Sequence, residues 1–196
     1  MFYTIVRLLV IGAFKIAFNL KIEGSENVPD GGGTIYASNH RTYADPLFIS
    51  LLVKKRCTYM AKEELFKNPL FSLLIRSLGA FPVERGKGDT GVIDTAIEKL
   101  KSGKNLVIFP EGTRSRDGKV GKGKTGVALI AAKAGVPVIP VGIAYEGKLK
   151  FRRKVTVRYG KPIDPEALKI SDPPVPRELK QLKLAVMGSI TELVEK

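Results

Sequence analysis

Residues 105–115 read NLVIFPEGTRS. A strand over Asn105–Phe109 does not alternate: from Leu106 onward every residue is apolar, as in a strand buried on both faces inside a sheet. Such a strand needs helices above and below it, and the sequence on either side supplies them. Asp89 or Thr90 caps a helical pattern that runs to Lys101, and Lys124–Ala134 is helical on the other side. Further out, Thr34–Ser38 (TIYAS) follows the turn Pro29–Gly33 as a short strand, and Asp45-Pro46 opens a helix to about Val53, with Asp45 as N-cap and the proline at the first position. Cys57–Ala61 and Phe81–Glu84 are strands around a helix from Asn68-Pro69 to Gly79. Val136–Tyr145 is a strand punctuated by two prolines, Lys154–Tyr159 alternates like a half-exposed strand, and an amphipathic helix runs from Pro176 to the end. There is no internal repeat and no low-complexity tract. The pattern predicts one α/β domain with a mixed, mostly parallel sheet flanked by helices.

The 196 residues suffice for one self-sufficient core, since a chain of this size buries roughly 70% of its unfolded surface. Cys57 is the one cysteine, which excludes an internal disulfide and fits a reducing compartment; with His40 the one histidine, a zinc cage of Cys and His ligands is excluded too, and no metal site is expected. A mean hydropathy of +0.01 is high for a chain with 27% charged residues, so apolar residues are concentrated somewhere.

The first concentration is residues 1–20, MFYTIVRLLVIGAFKIAFNL. As a helix this segment would match the hydrocarbon thickness of a bilayer, about 30 Å, but Arg7 and Lys15 interrupt it and disfavour a span. Thr4, Arg7, Gly12, Lys15 and Asn19 share an arc of about 140° at 100° per residue. The expectation is a membrane-interface helix over 1–20, with Arg7 and Lys15 towards the headgroups, ahead of a domain over 21–196. A helix packed on the protein's own core is the competing reading. A secretory signal is disfavoured, because the basic n-region and the small-residue cleavage site are missing.

Chemistry gathers where strands end. His40 follows the strand Thr34–Ser38, and Asp45 stands five residues on at a helix start. A neutral imidazole can take a proton from a hydroxyl near pH 7, and a carboxylate on its other ring nitrogen fixes the tautomer and stabilises the imidazolium. Alone, the spacing reads first as an ordinary polar loop histidine and an N-cap. After Phe109 a second cluster appears: Arg114, Arg116, Lys119, Lys122 and Lys124 face one acid, Asp117, behind Glu111-Gly112-Thr113. Glycine and small hydroxyl residues leave backbone N–H groups open to a phosphate and Arg114 can add a bidentate clamp; the alternative is a glycine turn on a solvated surface. Arg85 and Lys62 also follow strands.

Asn39-His40 with Asp45, Gly79–Arg85 (GAFPVER), Phe109–Ser115 (FPEGTRS) and Val136–Val141 (VPVIPV) resemble, in order and spacing, the four motifs of the glycerolipid acyltransferases, nearest to the bacterial 1-acyl-sn-glycerol-3-phosphate acyltransferases. The resemblance covers about residues 20–165. Pro82 departs from it, standing where a bulky apolar residue is usual. The resemblance implies that His40 is the general base and Asp45 its partner, that Arg85, Glu111, Gly112, Thr113 and Arg114 bind the acceptor's phosphate, that Lys124 belongs to a basic element after the third motif, and that Pro140 forms part of the acyl-donor wall. It further implies direct transfer of an acyl chain from acyl-CoA or acyl-carrier protein to lysophosphatidate, with no resident cofactor and no acyl-enzyme, at the cytoplasmic face of the membrane. Glycerol-3-phosphate or another lysophospholipid is the alternative acceptor, and an anionic-lipid binding protein without turnover the alternative outside the family. Glu111 stays open: it orders Arg114 or Arg85, or it binds an acceptor hydroxyl.

The formal charge is +14, and between Tyr145 and Lys161 seven cations (Lys148, Lys150, Arg152, Arg153, Lys154, Arg158, Lys161) face Glu146 alone. A solvated surface, an anionic membrane surface, and the phosphates or acids of the acyl donor all fit that run. Specific nucleic-acid binding does not, because there is no zinc finger, no RNP-like strand and no tryptophan, and the aromatic residues cluster with aliphatic ones.

Overall fold

The computed structural model describes residues 2–83, 90–115 and 117–196, with the side chains of 2–5 and 90 left out. In chain order the elements are α1 (Phe2–Ala17), β1 (Asn19–Glu23), β2 (Ile35–Ser38), α2 (Asp45–Ser50), β3 (Cys57–Lys62), α3 (Pro69–Ser77), β4 (Ala80–Val83), α4 (Thr90–Lys101), β5 (Asn105–Ile108), α5 (Gly126–Ala134), β6 (Val138–Ala144), β7 (Lys154–Tyr159) and α6 (Pro176–Glu195). Seven strands form one sheet in the order β1-β7-β6-β2-β5-β3-β4. Every neighbouring pair is parallel except β6 with β7, which is the mixed, mostly parallel sheet expected.

The sheet separates two cores. Ile35, Ala37, Leu106 and Ile108 point to one face, where residues of α4, α5 and α6 cover them; Tyr36, Val107, Ile139 and Val157 point to the other, under α2 and α1. Alternate residues of β2 and β5 thus feed opposite cores, which is why both strands read as apolar throughout. Close approach on the first face depends on Gly142: a Cβ there would lie 2.6 Å from the Leu193 Cβ of α6.

Connections place the site. From β2 the chain leaves through α2 on one face towards β3, and from the adjacent β5 it leaves through α5 on the other face towards β6. The carboxyl ends of β2 and β5 therefore flank a point where the winding reverses, and open α/β sheets bind ligands in the crevice outside such a point.

α1 differs from the expectation at Arg7. Its guanidinium turns inward and Nη2 donates to the Leu51 carbonyl at 3.1 Å, because the end of α2 leaves that oxygen without an intrahelical donor. Phe14 and Phe18 lie on the same side and pack edge-on against Phe48 of α2, with ring centroids 4.9 and 5.2 Å away. The face turned to solvent is the apolar one: Leu8, Leu9 and Ile16 are exposed, as is Lys15. α3 repeats this exposure through Leu70, Leu73 and Leu74 and buries none of its residues. Among the described residues no helix is long and apolar enough to cross a membrane.

Two smaller differences matter for the site. α2 begins at Asp45 itself and ends at Ser50, so Asp45 is its first residue and not its N-cap. β1 adds an edge strand, in register with β7 from Asn19 opposite Lys154 to Glu23 opposite Arg158, and Arg158 Nε donates to the Glu23 carboxylate at 2.7 Å.

Candidate active site

The β2–α2 loop carries His40 off the sheet edge and Asp45 brings it back. Asp45 is fully buried, and its Oδ2 sits 2.8 Å from His40 Nδ1. The same oxygen accepts from the Arg41 and Thr42 backbone N–H groups at 2.6 and 2.7 Å, and Oδ1 accepts from Thr42 Oγ1 at 2.8 Å. These donors explain why the side chain turns away from the amides of α2: folded back, it closes the loop around itself. A carboxylate that accepts two backbone N–H bonds is an acceptor for the ring too, which selects the tautomer of the neutral imidazole with the hydrogen on Nδ1 and the lone pair on Nε2. The imidazole stacks on Phe109 with centroids 4.0 Å apart and planes 19° apart, and 14% of its surface remains open to solvent.

The loop after β5 holds this arrangement from the other side. Glu111 Oε1 accepts the His40 backbone N–H at 3.0 Å, Glu111 Oε2 accepts the Gly121 N–H at 2.9 Å, and Ser115 N–H donates to the His40 carbonyl at 2.7 Å. Both oxygens of Glu111 are thus engaged by backbone, and its carboxylate clamps the histidine loop to the 110–124 segment; among the described residues it makes no ion pair with Arg114. Gly112 takes a positive φ of 73°, and a Cβ on it would lie 3.2 Å from Lys124 Nζ, so the lysine is folded over the glycine. Thr113 and Arg114 are exposed at the rim. The Arg114 guanidinium lies 3.8 Å over the Tyr43 ring and Nη2 donates to the Tyr43 hydroxyl at 3.1 Å.

The structure thus assembles His40, Asp45, Glu111, Gly112, Thr113, Arg114 and Lys124 at one sheet edge. Pro140 is set apart from them: it lies inside β6 opposite Ala37, buried, with its Cγ turned towards Gly160. Arg85, Glu84, Asp89 and Arg116 lie outside the described residues.

Two positioning groups were not read from sequence. Asn39 Nδ2 donates to the Ile143 carbonyl at 2.9 Å and Asn39 Oδ1 accepts the Ile143 N–H at 2.8 Å, so a side chain continues the β2–β6 pairing to the residue before His40. The signal was a buried amide at the end of an apolar strand. Arg41 Nη1 donates to the Tyr145 carbonyl at 2.6 Å and Nη2 to the Gly147 carbonyl at 2.9 Å, while its guanidinium lies 3.8 Å over the Tyr145 ring. Cys57 lies far from this chemistry in character: burial pushes its thiol up to about 12, so it stays protonated and a poor nucleophile.

Comparison with known proteins points the same way. A family model described as Acyltransferase matches residues 19–144. A Streptococcus pneumoniae protein named 1-acyl-sn-glycerol-3-phosphate acyltransferase is 35% identical over 173 residues, covering 84% of this chain and 63% of that protein. A Bacillus subtilis protein of the same name is 33% identical over 141 residues, covering 69% and 68%. The crystal structure of the 1-acyl-sn-glycerophosphate (LPA) acyltransferase PlsC from Thermotoga maritima superposes with a TM-score of 0.76 at 33% identity, covering 97% of this chain and 79% of that one. The matched part of this chain spans just under two thirds of the pneumococcal protein, 63% of its length.

Proposed function

This chain belongs to the acyltransferase family, and from that membership together with the His40–Asp45 pair we propose that it transfers a fatty acyl chain from acyl-CoA or acyl-carrier protein to the sn-2 hydroxyl of lysophosphatidate. The observation that carries the reading is the 2.8 Å contact between His40 Nδ1 and a fully buried carboxylate, on the sheet edge that also presents Arg114 and Lys124. Nε2 takes the hydroxyl proton as the acceptor oxygen attacks the thioester carbonyl. The tetrahedral intermediate collapses with breakage of the C–S bond, and the imidazolium returns its proton to the departing sulfur. Phosphatidate and a thiol leave, and no protein side chain is acylated.

Purified protein incubated with lysophosphatidate and acyl-CoA, or acyl-carrier protein, tests this by mass spectrometry of the lipid product. Phosphatidate is expected. Product from glycerol-3-phosphate or from an uncharged lysolipid alone would move the acceptor, and no product from any of them would leave a lipid-binding protein without turnover.

Arg114, exposed at the rim, would meet the acceptor's phosphate, and Arg85 belongs to the same proposal. Arg114→Ala is expected to cost about tenfold or more in kcat/KM on lysophosphatidate, the range of one charge-assisted hydrogen bond. A matched acceptor lacking phosphate should lose much less. Equal losses on both acceptors would assign Arg114 a structural role through Tyr43.

The acceptor is a membrane lipid, and the protein would meet it at the cytoplasmic face of the membrane through the exposed apolar faces of α1 and α3. Changing Leu8, Leu9 and Ile16 together to serine should move the protein from vesicle pellet to supernatant with little change in Tm, because those side chains are already in water. Undiminished pelleting at low and high salt would exclude α1 as the contact. Truncating α1 is a different experiment: it uncovers Phe48 and is expected to destabilise the domain.

A further inference from the structure

The hairpin between β6 and β7 rises from the same sheet edge as His40, and the chemistry above makes no use of it. With Arg41 it borders an open cavity of about 750 Å³, on whose wall Arg41, Lys150, Arg152, Arg153 and Lys154 outnumber Asp117 and Glu146. Asp117 is already engaged, accepting from Ser115 Oγ at 2.9 Å and from Lys119 N–H at 3.1 Å. Phe151 also lines the cavity and is 72% exposed, an aromatic face with no aromatic partner among the ring contacts of the described residues. Arg41, the residue after His40, connects the cavity to the base: its guanidinium is locked onto the Tyr145 and Gly147 carbonyls of the hairpin, and the Asn39–Ile143 pair ties the two strand ends together.

We propose that this cavity binds the nucleotide end of the acyl donor: the diphosphate and 3′-phosphate of CoA among the hairpin cations, with the adenine stacked on Phe151. The proposal rests on the acyl-transfer reading and assigns its donor. A diphosphate with a phosphomonoester carries about three to four negative charges near neutral pH, which the surplus of cations on the wall can match. Guanidinium and ammonium groups around a concavity suit phosphate oxygens, and an aromatic side chain open to solvent suits a purine, since every base has a π-face. Lipid headgroups share the phosphate but lack the base, and an acidic carrier protein brings carboxylates and one phosphodiester to the cations but no purine to Phe151. Arg41 and Phe151 both line the cavity, and Arg41 directly follows the base, so a donor with its thioester at His40 would extend its arm past Arg41 and lay its nucleotide against the hairpin.

The test is calorimetric titration of CoA, without an acyl chain, into the intact protein, together with initial rates against acyl-CoA concentration. In the double variant Lys150→Glu/Lys154→Glu, the Kd of CoA and the KM of acyl-CoA are expected to rise at least ~10-fold, with the KM of lysophosphatidate unchanged. Lys150→Arg/Lys154→Arg should restore both. Phe151→Ala should weaken CoA and leave inorganic pyrophosphate unaffected. An unchanged Kd and KM in the charge-reversed protein overturns the site, as does a wild-type protein that uses acyl-carrier protein and binds no CoA. Loss of sedimentation with phosphatidylglycerol vesicles at unaltered CoA affinity overturns it in favour of headgroup contact. The two readings fail separately: CoA bound by the wild type and lost in the double variant, with no phosphatidate formed, keeps the site and removes the reaction. Phosphatidate formed by the double variant at an unaltered acyl-CoA KM keeps the reaction and removes the site.

Discussion

His40→Ala is expected to lower kcat by at least ~100-fold, the low end of what a positioned general base contributes. No other histidine exists to replace it. The variant should fold, because Asp45 keeps three of its four donors: the Arg41 and Thr42 N–H groups and the Thr42 hydroxyl. Its backbone bonds to Glu111 and Ser115 do not involve the ring. What is lost structurally is one stacked contact with Phe109 and the bond to Asp45, on the order of 1–2 kcal/mol. The KM of lysophosphatidate should hardly move, since the ring acts on the reacting hydroxyl and not on the phosphate. Initial rates beside a thermal melt check this, and near-normal turnover in a folded variant would remove His40 from the mechanism.

Asp45→Asn and Asp45→Ala should separate what the carboxylate does for chemistry from what it does for the loop. In Asp45→Asn the amide oxygen can still accept from Arg41 and Thr42, and the Thr42 hydroxyl can reverse to accept from the amide NH₂. The loop therefore survives, but the charge that stabilises the imidazolium is gone, and kcat should fall between about 10²- and 10⁴-fold with Tm nearly retained. Asp45→Ala removes the buried acceptor of two part-buried backbone N–H groups and of the Thr42 hydroxyl. At about 1–3 kcal/mol for each unsatisfied donor, the loss of stability should approach 3 kcal/mol or more, and Tm should fall by roughly 6–12 °C. Equal Tm values for the two variants would show that the loop does not depend on Asp45.

How far these features were legible in the sequence depended on whether their cause was local. Leu106–Ile108 and Ile35–Ala37 read correctly because burial on both faces of a sheet leaves an apolar run in the chain itself. His40 and Asp45 became legible only through the four-motif resemblance, since their spacing alone reads as a loop histidine and a helix cap, although a four-residue loop does bring them together. β1 was not, since NLKIE carries two charges and becomes a strand only by pairing with β7, more than a hundred residues away. Arg7 was assigned to the headgroup side from helical phase alone; the Leu51 carbonyl that turns it inward has no trace near it in the chain. Asp45 looked like an N-cap because Asp-Pro commonly starts helices, but amides of the preceding loop outcompete those of α2 for its oxygens. Glu111 was left open for the same reason: its two partners, His40 and Gly121, are 71 and 10 residues distant.

The central claim is direct transfer from thioester to hydroxyl at His40, and rapid-quench measurement of thiol release and phosphatidate in the same samples, with and without lysophosphatidate, tests it most directly. The account predicts that thiol and phosphatidate appear together, one for one, and that thiol release without the acceptor is confined to slow hydrolysis while the intact protein mass stays unmodified. A stoichiometric burst of thiol in the absence of lysophosphatidate, accompanied by a protein heavier by one acyl group, would contradict it.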